Sequence, residues 1–306
     1  MPLTTQPVCD YEGSAYRTEF WGAGREYEDA VERVALSHLL PPTGRRIVEI
    51  GAGYGRLADL YCHYDEVVLF DYALSQLQQG REMWENAELE RRPRFVYVVG
   101  DFYNLPFAAG LFDTVTMVRA LHHAADAPQV LRGVSQILAP GGTFVLEFAN
   151  KRHLKAILRY VLRRQDWSPF DPQPVEFATL NFDFHPAWVR EQLAAVGLVV
   201  REQRSVSHFR LALLKRLVPT GLLVALDRLC QPTGAFWQLT PSLFVRCLAR
   251  TDKRPAPPGA CFRCTVCGST MLADEEDVLA CGDCGARFAV RDGIYDFKSP
   301  VEGGTR

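Results

Sequence analysis

The chain has 306 residues, 48% hydrophobic and 23% charged, with 34 Lys and Arg against 36 Asp and Glu. That balance excludes disordered, collagenous and membrane-embedded classes. A net charge of -2 excludes a generally basic nucleic-acid coat, so an anionic partner would have to meet a local patch. The length suits one large domain, alone or with a small second one. Met1 to Asp10 shows no basic stretch followed by an apolar one and does not read as a signal peptide. The longest apolar run, Leu217 to Leu226, contains Pro219 and Gly221 and falls short of the roughly 20 residues a spanning helix needs. A cytoplasmic location is the default expectation.

In chain order, residues 1–44 read as an N-terminal arm and helix. The aromatic opening Tyr11 to Tyr27 is either a packed arm or a lid, in which Tyr16, Phe20, Trp21, Arg25 and Tyr27 would close over a ligand. Glu26 to Leu40 has helical periodicity and stops at Pro41-Pro42. Strands are expected at Arg46 to Ile50, Glu66 to Phe70, Arg94 to Val99, Phe112 to Val118 and Thr143 to Phe148. Helical stretches such as Ala73 to Glu90 and Ala127 to Leu138 lie between them, as in βαβ units. A helix from Pro186 to Val196 and strands at Leu198 to Ser205 and Leu243 to Ala249 would complete the sheet. Phe209 to Cys230 is helical in pattern, with a break at Pro219 to Gly221. The expectation is an α/β fold, a doubly wound, mostly parallel, seven-stranded Rossmann-like sheet over 45–252, with helical insertions at 150–180 and 209–230. A Pro-rich linker, 253–260, separates it from a small domain at 261–306.

After the first strand comes Glu49-Ile50-Gly51-Ala52-Gly53-Tyr54-Gly55-Arg56, where glycines permit a tight turn and close approach of a ligand to the main chain. The third glycine of a dinucleotide loop would fall on Arg56, and the Gly-Lys-Ser/Thr ending of a phosphate loop is absent. Asp71-Tyr72 ends the second strand, twenty residues beyond Gly51, where a carboxylate can accept from both hydroxyls of a ribose. Gly100-Asp101-Phe102 follows the third strand. Taken singly, Glu49 could be satisfied by loop amides, and Asp71 and Asp101 could simply form turns.

This series, from about residue 45 to 150, resembles the class I S-adenosylmethionine-dependent methyltransferases, most closely the branch containing quinone-biosynthesis and many small-molecule enzymes. The resemblance implies that Glu49, Gly51, Ala52, Gly53 and Gly55 hold the methionine side of S-adenosylmethionine. Asp71 and Tyr72 would then hold the ribose, and Asp101 and Phe102 the adenine. Arg119 would contact the cofactor carboxylate or only the sheet's end. Methyl transfer from a sulfonium needs in-line alignment and a desolvated nucleophile more than a base. His122 and His123, after the fourth strand, either orient or deprotonate an acceptor or pack the next helix. An Asn/Asp-Pro-Pro-Tyr/Phe motif and paired catalytic cysteines are missing there, which disfavours amide or base-nitrogen methylation and cytosine-carbon methylation.

Lys151 to Arg164 carries six Lys and Arg and no acid. Its basic residues fall at helical spacing opposite Leu154, Ile157, Leu158, Val161 and Leu162. The ordinary reading is a solvated charged face over a buried apolar stripe, and the functional ones are docking to an anionic membrane surface or to RNA. In the tail, Cys264-x-x-Cys267-Gly and Cys281-x-x-Cys284-Gly make two knuckles suited to a structural, tetrahedral Zn, with Cys261 as a third cysteine in the same register. Cys9, Cys62, Cys230 and Cys247 are scattered, as expected of small buried side chains. Arg291-Asp292-Gly293-Ile294 resembles the small zinc-ribbon subunit that activates several tRNA, ribosomal RNA and release-factor methyltransferases. Here it would be fused in cis, with Tyr295 where a proline usually stands. The expected acceptor is a small, lipophilic molecule. RNA or a translation protein is the alternative, and a non-catalytic cofactor-binding regulator the second.

Overall fold

The computed structural model describes residues 6–14, 21, 24–89 and 91–301. Tyr16 and Phe20 lie outside them. The first helix described in full, α1 (Glu26–Leu39), buries Val31, Ala35, Leu36 and Leu39, a three-four spacing that sets one face against the sheet. Strands β1 (Gly44–Ile50), β2 (Tyr64–Asp71) and β3 (Arg94–Val99) pair in parallel in that order outward. The chain then returns to the other side of β1 with β4 (Phe112–Met117) and β5 (Leu138–Ala149). Helices α2 (Leu74–Glu85) and α3 (Ala127–Ile137) make the crossovers. Asp126 caps α3 by accepting from the Gln129 amide, Pro128 stands in its first turn, and Val130, Leu131, Val134 and Ile137 are buried.

Both faces of the sheet are covered. Val48, Ile50, Val68, Phe70, Val115 and Met117 pack with α3 and with α5 (Pro186–Ala195), which follows a short helix, α4 (Leu154–Val161). Ile47, Val67, Leu69 and Val145 pack with α1 and α2 on the other side. The reversal of strand order at β1 and β4 opens a crevice at their carboxyl ends, where α/β sheets bind ligands.

The sheet is wider than the expected seven strands, and it is mixed. β9 (Ser242–Ala249) runs antiparallel to β5 and to the edge strand β8 (Leu198–Val206). On the opposite edge the tail adds an antiparallel meander of β10 (Leu272–Glu275), β11 (Val278–Cys281), β12 (Arg287–Arg291) and β13 (Ile294–Asp296), giving eleven strands in one sheet. The join is β13 parallel to β3, with Ile294 opposite Tyr97 and Asp296 opposite Val99. An unpaired β3 edge is a template for another strand, and the tail occupies it. Cysteine spacing reports a metal, not an edge partner, so this strand pairing was invisible in the sequence.

The insertion at 150–180 is helical only over α4. Pro169, Pro172 and Pro174 end any helix, and β6 (Val175–Ala178) and β7 (Asn181–Asp183) then form a separate hairpin. The second insertion contains α6 (Ala212–Leu217) and α7 (Thr220–Cys230), broken at Pro219 as the pattern suggests. The glycine loop is followed by a single 3-10 turn, Ala58–Tyr61. Among the scattered cysteines Cys247 is buried, whereas Cys9, Cys62 and Cys230 are partly exposed.

Candidate active site

A cavity opens at the β1/β4 crevice, lined by the loops after β1, β2 and β4. The loop after β1 is held because the Gly51 and Ala52 amides both donate to the Phe70 carbonyl. Gly51 has φ +75°, and a Cβ there would come within 2.5 Å of the Ala120 side chain, so only glycine lets the β1 and β4 loops close on each other. Gly53 also has positive φ, but a Cβ there would meet nothing within 4 Å: the space beside its backbone is open to a ligand.

Asp71 accepts from the Gly53 amide at 2.7 Å and the Ala73 amide at 2.9 Å, which fixes its carboxylate on the cavity wall. Burial pushes its acidity down, opposed by those amide bonds. The turn role and the ligand role are thus compatible, since a carboxylate has about four acceptor positions. Glu49 is buried on the same wall, and its Oε2 has no hydrogen-bond partner among the described residues. Burial pushes its pKa up to about 8, and the Arg56 charge only partly offsets this. An orphaned buried carboxylate oxygen facing a cavity is costly unless a cation or donor completes it.

Arg56 and Arg119 are tied by Glu32, buried on α1: Arg56 Nη2 to Glu32 Oε2 is 2.8 Å, and Arg119 Nε to Glu32 Oε1 is 2.8 Å. Asp29 also pairs with Arg56. Arg119 has φ +55° and donates its amide to Glu147, so the sheet's end, not only a ligand, positions it. Trp21 lies over Arg56, 3.9 Å from guanidinium carbon to ring centroid, and lines the cavity. Tyr27, grouped with it in the lid reading, is instead buried, donating to Asp227 at 2.6 Å and accepting from the Phe209 amide.

Both histidines reach the cavity. His123 is fixed between the Leu180 carbonyl at Nδ1 (2.9 Å) and the Tyr11 hydroxyl at Nε2 (3.1 Å). Its ring packs 4.0 Å from that of His122. Burial lowers the pKa of both, that of His122 well below its ordinary value, with His123 and Arg119 adding repulsion. Both are therefore neutral at pH 7, and with Nδ1 and Nε2 engaged His123 has no ring nitrogen left for an acceptor. The structure brings Glu49, Gly51, Ala52, Gly53, Asp71, Tyr72, Phe102, Arg119, His122 and His123 to one cavity. Gly55 sits behind it under Leu69 and Trp84, and Asp101 spends one carboxylate oxygen on the Tyr103 amide. Cys9, Tyr11, Gln76 and Asn181 also line the cavity. No local motif marks them, because the arm and the hairpin meet the site only after folding.

In the tail, Sγ atoms of Cys264, Cys267, Cys281 and Cys284 all lie within 4.8 Å of one another. Cys264 to Cys284 and Cys267 to Cys281 are 3.6 Å. Zn–S bonds of about 2.3 Å put tetrahedral sulfurs about 3.8 Å apart, so the four thiols fit that ion without an open position. The same segment grips the loop after β3. Arg263 donates to Asn104 Oδ1 and the Leu105 carbonyl, and the Ala108 amide donates to the Cys261 carbonyl. Lys298 Nζ stands 4.6 Å from the Tyr72 ring centroid.

Residues 48–146 match a family model described as a methyltransferase domain. A demethylmenaquinone methyltransferase of Beutenbergia cavernae is 32% identical over 120 residues, 39% of this chain and 47% of that protein. The chain therefore spans less than half the length of this curated relative. Among solved structures, a chain from the complex of a Haloferax volcanii methyltransferase activator with a methyltransferase superposes with TM-score 0.52 at 20% identity, covering 77% of this chain and 96% of that one. An S-adenosylmethionine-dependent methyltransferase of Mesorhizobium loti gives 0.50 at 19%, covering 72% and 99%. At these identities the structures show a shared fold.

Proposed function

We propose that this protein, with a methyltransferase domain across residues 48–146, transfers a methyl group from S-adenosylmethionine to a small lipophilic acceptor. The observation that carries the reading is the Glu49 carboxyl, buried on the cavity wall with its Oε2 unpartnered among the described residues, beside a glycine with open space and a fixed Asp71. Those groups suit a ligand with an ammonium end and a diol. S-adenosylmethionine supplies a methyl already activated on sulfur. Glu49 binds the amino group, Asp71 accepts from the ribose hydroxyls, and Phe102 and Tyr72 offer apolar surface to the base. Neutral His122 takes a proton from the acceptor or holds it by hydrogen bond, while His123, clamped by Leu180 and Tyr11, fixes the ring beside it. Trp21 and Asn181 narrow the mouth and exclude water.

The acceptor class is supported by the demethylmenaquinone enzyme among the relatives and by the apolar surface around the site. The four tail cysteines hold one structural Zn, and the tail buttresses the Asp101–Phe102 loop as a fused module. The test is purified protein with methyl-labelled S-adenosylmethionine and a total cell extract, counting small-molecule/lipid, RNA and protein fractions. Label in the first supports the reading. Label in RNA or protein replaces the acceptor, and no label despite S-adenosylhomocysteine binding leaves a non-catalytic binder.

A further inference from the structure

The apolar stripe of α4, expected to be buried, faces outward. Only Ala156 of that helix is buried, and Leu158, Val161 and Leu162 are 52%, 68% and 61% exposed. Helix α6 buries no residue, with Leu213 and Leu217 67% and 72% exposed, and Phe236 and Trp237 beyond α7 reach 85% and 72%. These segments are neighbours: the Leu154 amide donates to the Leu239 carbonyl, Asn150 Nδ2 donates to the Gln238 and Thr240 carbonyls, and the Arg210 charge is among those that add to burial in lowering the His153 pKa. β8 runs in the same direction as β5, because both are antiparallel to β9. Both insertions therefore leave the sheet at the end where the cavity opens, and Asn181 of the first lines it. A monomer rarely exposes so many large apolar side chains in one region without a partner.

We propose that the two insertions form a docking face for the surface of an anionic lipid bilayer. Charge selects this occupant. Lys155, Arg159, Arg163, Arg216 and Arg228 are exposed among the leucines. Residues 151–165 contain no acid, and the one acid of 207–240, Asp227, is buried. A second copy packed on α4 and α6 by two-fold symmetry would set the same cations against each other, since neither helix carries an acid. A bilayer meets both needs, since leucine and tryptophan enter the headgroup boundary while the cations meet lipid phosphates. Among the described residues no helix is long and apolar enough to cross the membrane, so contact is with the surface. The face stands apart from the acceptor reading, although it would bring the cavity mouth to wherever a lipophilic acceptor dissolves.

The experiment is sedimentation of the full chain with vesicles of equal parts phosphatidylcholine and phosphatidylglycerol, and with phosphatidylcholine alone, across a salt series. Binding should require the anionic lipid and weaken with salt. Arg159→Gln with Arg163→Gln should lower partitioning about fivefold per charge removed, and Leu213→Ser with Leu217→Ser about tenfold or more. S-adenosylhomocysteine calorimetry on each variant verifies that it is folded. Failure of well-folded protein to sediment, equal binding by the variants, or a dimer in light scattering that the leucine variant abolishes would overturn the proposal. Sedimentation without methyl transfer would instead count against the function alone.

Discussion

The two ends of the sheet solve opposite problems. At the β3 edge the tail contributes a strand, a set of side-chain clamps and buried aromatics: Phe297 packs on Phe262 and Phe288 with centroids 5.2 and 4.8 Å away. Beyond β5 and β8, the insertions contribute α4 and α6, most of whose large apolar residues remain in solvent. The first is a region completed within the chain, and its apolar groups stabilise the fold. The second is incomplete, and its apolar groups do little for the fold and so are available for a surface outside it.

Four measurements would break or sharpen that contrast. Chelating the tail metal, or Cys281→Ser, should unfold the tail, since structural Zn contributes roughly 10–16 kcal/mol in small metal-bound units. Elemental analysis should find one Zn per chain, and a metal-free protein with an unchanged melting temperature would remove the basis for a stapled tail. Phe297→Ala should cost about 3–5 kcal/mol in urea unfolding. It should also weaken S-adenosylhomocysteine binding, because the buried Phe297 ring anchors the chain segment that pairs with Val99 just before the Gly100–Phe102 loop.

Glu49→Gln should weaken S-adenosylhomocysteine binding by an amount worth about 1.5–3 kcal/mol, roughly tenfold to a hundredfold, by calorimetry. The pH dependence has a definite sign. With its folded pKa pushed up to about 8, Glu49 keeps a proton that the unfolded chain releases in the ordinary carboxylate range. Its contribution to stability is therefore full in acid and is lost as pH rises toward about 8. A cationic ligand favours the ionised form, so affinity should rise over the same interval. The glutamine variant should show neither trend. Smallest of all, Leu217→Ser should change the unfolding midpoint by less than about 0.5 kcal/mol. A larger loss would show that α6 is packed and end the contrast.

Much of the core domain was legible in the sequence because its signals are local. Apolar runs bounded by turn residues gave β1 to β5 within a few residues, and the Gly51 to Gly55 loop with Asp71 marked the crevice. What escaped were relations between distant segments: Tyr11 against His123, 112 positions apart, and Asn181 on the same cavity. Periodicity identified α4 as amphipathic but not which side the molecule covers, since the pattern is the same whether the partner is a sheet or something outside.

By itself, then, the sequence determined the strand-and-loop series, the acidic and glycine positions of the cavity, and the four-cysteine cluster, all set by short-range spacing. Only the tertiary structure decided that the tail extends the sheet through β3, that Glu49 is buried on the cavity wall, and that the insertions expose many of their leucines. Each depends on which surfaces remain after packing, and burial is a property of the whole fold.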